Sequence, residues 1–143
     1  MNSSGKEILP KGYSVNETYS VILFIKKGHH AETYRVKGKD GKLYFLKLFN
    51  PSKLHRTAFD DSNNLIEIEI LHKIKHANIV SYKDSGELIV DGKKYIYLVL
   101  GFIAGETLAD RITKEPISTA YDAKIYVSAI LNGLNYLHSI PTL

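Results

Sequence analysis

Residues 31–49 read Ala31-Glu32-Thr33-Tyr34-Arg35-Val36-Lys37-Gly38-Lys39-Asp40-Gly41-Lys42-Leu43-Tyr44-Phe45-Leu46-Lys47-Leu48-Phe49. Asp40-Gly41 tolerates the positive φ angles of a tight turn, so Ala31–Val36 and Leu43–Phe49 are expected to pair as an antiparallel hairpin. Within the second strand Phe45 and Lys47 share one face, because side chains alternate with a period of two. A lysine with apolar neighbours on both sides is either snorkelling to water or held by a dedicated partner. Glu67, on a segment that reads as a helix covering the same sheet, offers that partner. A Lys–Glu pair bridging strand and helix fixes a cation beside a cleft, an arrangement suited to phosphate.

Working outward, Val21-Ile22-Leu23-Phe24-Ile25 is a short apolar run of the kind that makes a buried strand. Lys26-Lys27-Gly28-His29-His30 interrupts it. Asp91-Gly92 separates Glu87–Val90 from Tyr95–Leu100 and predicts a second hairpin. Between the hairpins, Leu65, Ile68, Leu71 and Ile74 recur at the helical period. Asn64 is expected to cap that helix, with Glu67 as its capping-box carboxylate. Gly101 and Gly105 bracket a linker, followed by a brief helix near Thr107–Thr113 that Pro116 ends. Ser118 or Thr119 then starts a longer helix to about Ser139, striped with Ala120, Ala123, Val127, Ile130, Leu131, Leu134 and Leu137. Five antiparallel strands with one inserted helix make an α+β layer. Residues 1–12 are polar with Gly5, Pro10 and Gly12, and are expected to form a loose leader.

Composition excludes several classes. The 143 residues are 44% hydrophobic and 24% charged, close to the globular average and unlike a disordered chain. That length fits one ordinary domain. Nineteen Lys+Arg against fifteen Asp+Glu give +4, a mild surplus with no long basic run and no nucleic-acid footprint. There is no cysteine, which rules out disulfides, thiolate zinc sites and thiol catalysis and fits a reducing compartment. Tyr95–Gly105 runs without charge but is shorter than the ~20 residues of a membrane span. Met1–Lys6 has no apolar stretch behind it, so no signal peptide is expected.

Other features carry less chemistry. Gly28 sits between the first two strands, where a glycine lets backbone approach a ligand, although most such glycines only make turns. The linker Leu98-Val99-Leu100-Gly101-Phe102-Ile103-Ala104-Gly105 leaves the sheet as backbone that a flat ligand can meet. His72 and His76 are four apart on a helix, but the H-E-x-x-H pattern fails, and packing or solvation is the expected role. The ten tyrosines are scattered and read as core and rim packing.

Taken together, these segments resemble the N-terminal lobe of a protein kinase, of the eukaryotic-like serine/threonine type found in bacteria. Gly28–Val36 looks like the glycine-rich loop, and Tyr44-Phe45-Leu46-Lys47 like the strand motif V-A-I-K. Glu67–Val80 looks like the C-helix with its trailing H-x-N-I-V, which selects Glu67 over Glu69 as the partner of Lys47. Tyr97–Leu108 looks like the last strand and hinge, and Leu134-Asn135-Tyr136-Leu137-His138-Ser139 like the end of the helix preceding the catalytic loop. The resemblance covers about residues 13–140. It implies a lobe over 13–100, a hinge over 101–106 and the start of a helical C-lobe over 107–143.

The resemblance also implies roles. Lys47 and Glu67 would be the catalytic pair, with Lys47 on the α- and β-phosphates of ATP. The loop around Gly28 and Ala31 would cover the phosphates, and Ile25, Thr33 and Phe45 would roof the base. Leu100 would be the gatekeeper, Gly101 and Ile103 would meet the adenine edge through backbone, and Thr107 would lie near the ribose. The ligand would be ATP with Mg bound outside this chain. The substrate would be a protein Ser or Thr hydroxyl, and the location cytoplasmic. Departures are Lys26 and Ala31 at two glycine positions, and Phe45 where a small alanine is usual. No H-R-D-type loop and no D-F-G occurs within these residues, so this stretch alone should not turn over, and an in-frame continuation bringing both is expected. Alternatives are a pseudokinase-like binding module or a small-molecule kinase of related fold. The stripe on the last helix predicts self-association.

Overall fold

The computed structural model describes residues 6–141. Its sheet has six antiparallel strands: β1 (Ser14–Val15), β2 (Tyr19–Lys27), β3 (Ala31–Gly38), β4 (Leu43–Phe49), β5 (Tyr82–Val90) and β6 (Lys93–Gly101), in the order β1-β2-β3-β4-β6-β5. The five expected strands are present, joined by the two-residue β1. Both Asp-Gly turns form. Gly41 adopts φ +78°, and Asp91 and Gly92 adopt +51° and +76°, the left-handed pair a two-residue hairpin demands. The helices are α1 (Ile66–Lys73), α2 (Leu108–Lys114) and α3 (Ala120–His138).

Register fixes what each face carries. Tyr34, Val36, Tyr44, Leu46, Leu48, Tyr97 and Val99 lie on one face of the sheet and are buried. They form a single apolar cluster with Leu9, Val15, Tyr19 and Val21. Thr33, Arg35, Phe45, Lys47, Phe49, Leu98 and Leu100 lie on the other face. At Gly86 a Cβ would come within 2.6 Å of the Tyr97 hydroxyl, so that ring's passage across β5 requires glycine.

Two expectations need correction. The leader is not loose over residues 6–12. Leu9 is 1% exposed, and the segment closes the core face of the sheet. Its anchor is Glu32, a carboxylate only 5% exposed. Glu32 Oε2 accepts from Ile8 N–H at 3.1 Å and from the Tyr34 hydroxyl, which itself accepts from Leu9 N–H at 3.1 Å. Residues 1–5 lie outside the described residues. Nor does Asn64 cap α1. The helix begins one residue further on, and the Leu65 carbonyl accepts from Ile68 and Glu69. Asn64 instead donates its N–H to Asp60 Oδ1 at 2.8 Å, where Ser62 N–H also binds at 2.9 Å, because a short carboxylate readily organises a turn.

The chain divides into two compact units, Met1–His72 with Tyr82–Phe102 and Lys73–Ser81 with Ile103–Leu143. The expected lobe over 13–100 therefore gives up 73–81, and the division falls inside the expected hinge. In the second unit Thr107 caps α2 by accepting from Asp110 N–H, and Thr119 caps α3 by accepting from Asp122 N–H. Lys75 N–H donates to the Tyr136 hydroxyl at 3.2 Å, and Gly133 is buried against Asn78 and Ile79. On α3, Tyr121, Ile125, Val127, Ile130, Leu131 and Leu134 are exposed.

Removing the Tyr34 hydroxyl leaves Leu9 N–H and Glu32 short of a partner inside the core, which costs about 1–3 kcal/mol. Urea unfolding of Tyr34→Phe should report that loss at neutral pH. Burial and the Glu32 hydrogen bond push the Tyr34 phenol above its ordinary range, and burial with Asp84 does the same for Tyr19. The folded state thus holds these protons more tightly than the unfolded one. The contribution of these phenols to stability should be constant below the ordinary phenol value of ~10 and fall above it. The fall should be shallower in Tyr34→Phe.

Candidate functional site

The face of the sheet opposite the main core is built in cross-strand rows. Thr33, Lys47 and Leu98 form one row, with Ala31, Phe49 and Ile96 on one side of it. On the other side lie Leu23, Arg35, Phe45 and Leu100. Leu98 is fully buried beside Lys47, so the lysine stem lies on apolar surface while its head reaches water. The Lys47 ammonium pairs with Glu67 Oε1 on α1, as the sequence led us to expect, and lies 5.1 Å from the Phe49 ring centroid. Glu69 forms no ion pair among the described residues, so of the two carboxylates the structure selects Glu67.

The pair is not a stabilising device of any weight. The Lys47 and Glu67 side chains keep 29% and 44% of their exposure, and ion pairs this wet contribute about 0–1 kcal/mol. What it does is hold a cation at a fixed point on an open sheet face.

Two residues along β4, the site changes character. The Phe45 ring packs on Phe102 with centroids 5.0 Å apart and planes tilted by 45°. The Arg35 guanidinium lies 5.0 Å over Phe102, and its buried Nε has no hydrogen-bond partner among the described residues. Neither Arg35 nor Phe102 was a candidate from sequence. The signal available was the period of two, which puts Arg35 on the same face as Thr33.

The remaining candidates are scattered along this framework. Ile25 is the extra residue of a bulge, where pairing jumps from Phe24↔Tyr34 to Lys26↔Thr33, and it is 39% exposed. Gly28 opens the turn between β2 and β3, and its N–H donates to the Ala31 carbonyl at 2.9 Å. Neither crowding nor a positive φ calls for glycine there in this structure. Leu100 is buried and Gly101 ends β6 opposite Tyr44. Ile103 and Thr107 belong to the second unit, where the Thr107 hydroxyl is occupied by its cap. His72 stacks at 4.7 Å on Tyr82, and His76 Nδ1 accepts from Asn78 N–H at 3.0 Å.

Residues 19–141 match the protein kinase domain. The chain belongs to that family. It is 28% identical over 142 residues to the serine/threonine-protein kinase CG17528 of Drosophila melanogaster, covering 98% of this chain and 18% of that protein. It is 29% identical over 127 residues to myosin light chain kinase A of Dictyostelium discoideum, covering 88% of this chain and 41% of that one. The kinase-domain chain therefore spans less than half the length of these relatives. Both are eukaryotic. In structure it resembles Rad53 residues 1–466, solved in complex with AMP-PNP, with a TM-score of 0.69 at 22% identity over 87% of this chain and 31% of that one. The kinase-like fold expected from the motifs is thus present.

Proposed function

We propose that this chain is the ATP-binding portion of a serine/threonine protein kinase. The observation that carries the reading is the Lys47–Glu67 pair, which joins β4 to α1 on the open face of the sheet. A phosphate chain needs a cation fixed in place, and a carboxylate behind the ammonium supplies that orientation. The AMP-PNP bound by the Rad53 neighbour and the names of the relatives support the same class of ligand and acceptor.

The residues here fit the phosphate end of ATP. Lys47 would hold the α- and β-phosphates, Glu67 would keep its ammonium aimed outward, and the Gly28–Ala31 turn would lie over them. Bound ATP would supply the transferable γ-phosphoryl group, with a protein Ser or Thr hydroxyl as acceptor. The resemblance places the magnesium ligands outside these residues. No group of three or more His, Asp or Glu suited to a metal occurs among the described residues, and Asp40 is taken up by the Tyr44 hydroxyl and Lys42 N–H. With no H-x-D base and no D-F-G in its sequence, this stretch by itself should bind without transferring phosphate. The expected cytoplasmic location belongs with this proposal.

The apolar side chains exposed along α3 support a second part of the reading, association with another copy of the chain through that helix.

Millimolar ATP should raise the melting temperature slightly, since a ligand at its own Kd adds only about 0.4 kcal/mol. Lys47→Met should abolish the shift and Glu67→Gln should reduce it, while each variant alone alters stability by under about 1 kcal/mol. An unchanged shift in Lys47→Met would remove the assigned site. Sedimentation velocity should show dimers growing with concentration and lost in Ile130→Asp. A monomer at every concentration tested would defeat the association.

A further inference from the structure

The level of the sheet one step from Lys47 is unusually full. Leu23, Arg35, Phe45 and Leu100 stand abreast across four strands, with no small residue among them. Phe102 lies against Phe45, and Arg35 covers Phe102. The Arg35 guanidinium lies over the Phe102 ring, a cation–π contact, and its buried Nε has no acceptor among the described residues.

Strand geometry sets this stack in relation to the proposed ligand. Phe45 is two residues from Lys47 on the same face, about 7 Å along the strand and toward Gly101. The kinase resemblance directs the base of a nucleotide held by its phosphates on Lys47 toward the backbone at Gly101, and on this sheet that path runs against Phe45. A base and an aromatic pair cannot fill the same volume, and separating packed rings forfeits their contact.

We propose that Phe45 and Phe102, held by Arg35, close the base-binding space, so that the site takes nucleotides by their phosphate chain and gains nothing from the base. This rests on the reading of Lys47 as a phosphate-binding lysine. It names the ligand class as polyphosphate chains, with or without a nucleoside. Phe45 is then the residue that sets specificity, through space it occupies instead of a contact it offers.

Calorimetric titration with ATP and with inorganic tripolyphosphate tests this. The wild-type chain should bind the two with Kd values within about threefold of each other. Phe45→Ala should tighten ATP by about tenfold or more and leave tripolyphosphate within about threefold of wild type. Circular dichroism checks that the variant is folded. Phe102→Ala, in the connecting segment, should shift ATP in the same direction and serves if Phe45→Ala does not fold. Wild-type ATP binding at least about tenfold tighter than tripolyphosphate, or no gain in either variant, overturns the proposal but leaves the phosphate reading standing. Failure of both ligands to bind any of the three proteins overturns the reading of Lys47 as well.

Discussion

Strand β4 has two faces, and its alternation divides the molecule's labour. Tyr44, Leu46 and Leu48 go to the main core, and Phe45, Lys47 and Phe49 go to the opposite face. A slip of one residue would drive the Lys47 ammonium into the apolar cluster and turn Leu46 and Leu48 outward. The Lys39-Asp40-Gly41-Lys42 turn prevents that slip: Gly38 N–H donates to the Lys42 carbonyl, and Lys42 N–H to the Asp40 carboxylate. Everything attributed to the site depends on this register.

Stability and function are correspondingly separated. The core face is closed by Leu9 and Val15 and locked by a buried carboxylate–phenol–backbone cluster, where each lost partner strands a polar group without water. On the other face, the Lys47–Glu67 ion pair remains partly solvated and contributes little to folding. The proposed phosphate-binding role requires a cation outside the core, and the partial exposure of Lys47 is consistent with it.

Sequence was most legible where local chemistry decides structure. Asp40-Gly41 and Asp91-Gly92 announced both hairpins because Gly41, Asp91 and Gly92 take the positive φ angles that few other residues accept. Helix starts near Thr107 and at Ser118 or Thr119 were expected, and the Thr107 and Thr119 hydroxyls cap them. The Lys47–Glu67 partnership was legible because a lone charge in an apolar strand demands an explanation. What was not legible depends on contacts remote in sequence. Leu9 is buried only because Glu32 and Tyr34 catch the backbone of the segment that carries it. Asn64 looked like a cap, but the helix starts at Ile66 and both backbone groups of Asn64 pair with Asp60 in the preceding turn. Arg35 and Phe102 carry no local motif, and only the assembled sheet brings them together.

The division of β4 into a core face and an opposite, Lys47-bearing face can be measured directly, because the chain has no native cysteine to confuse thiol labelling. Single variants Tyr44→Cys, Phe45→Cys, Leu46→Cys and Lys47→Cys would be exposed to a maleimide under native conditions. Phe45→Cys and Lys47→Cys should be modified rapidly, and Tyr44→Cys and Leu46→Cys should stay protected until the protein unfolds. Faster labelling at 44 and 46 than at 45 and 47 would mean the opposite register and would contradict the account.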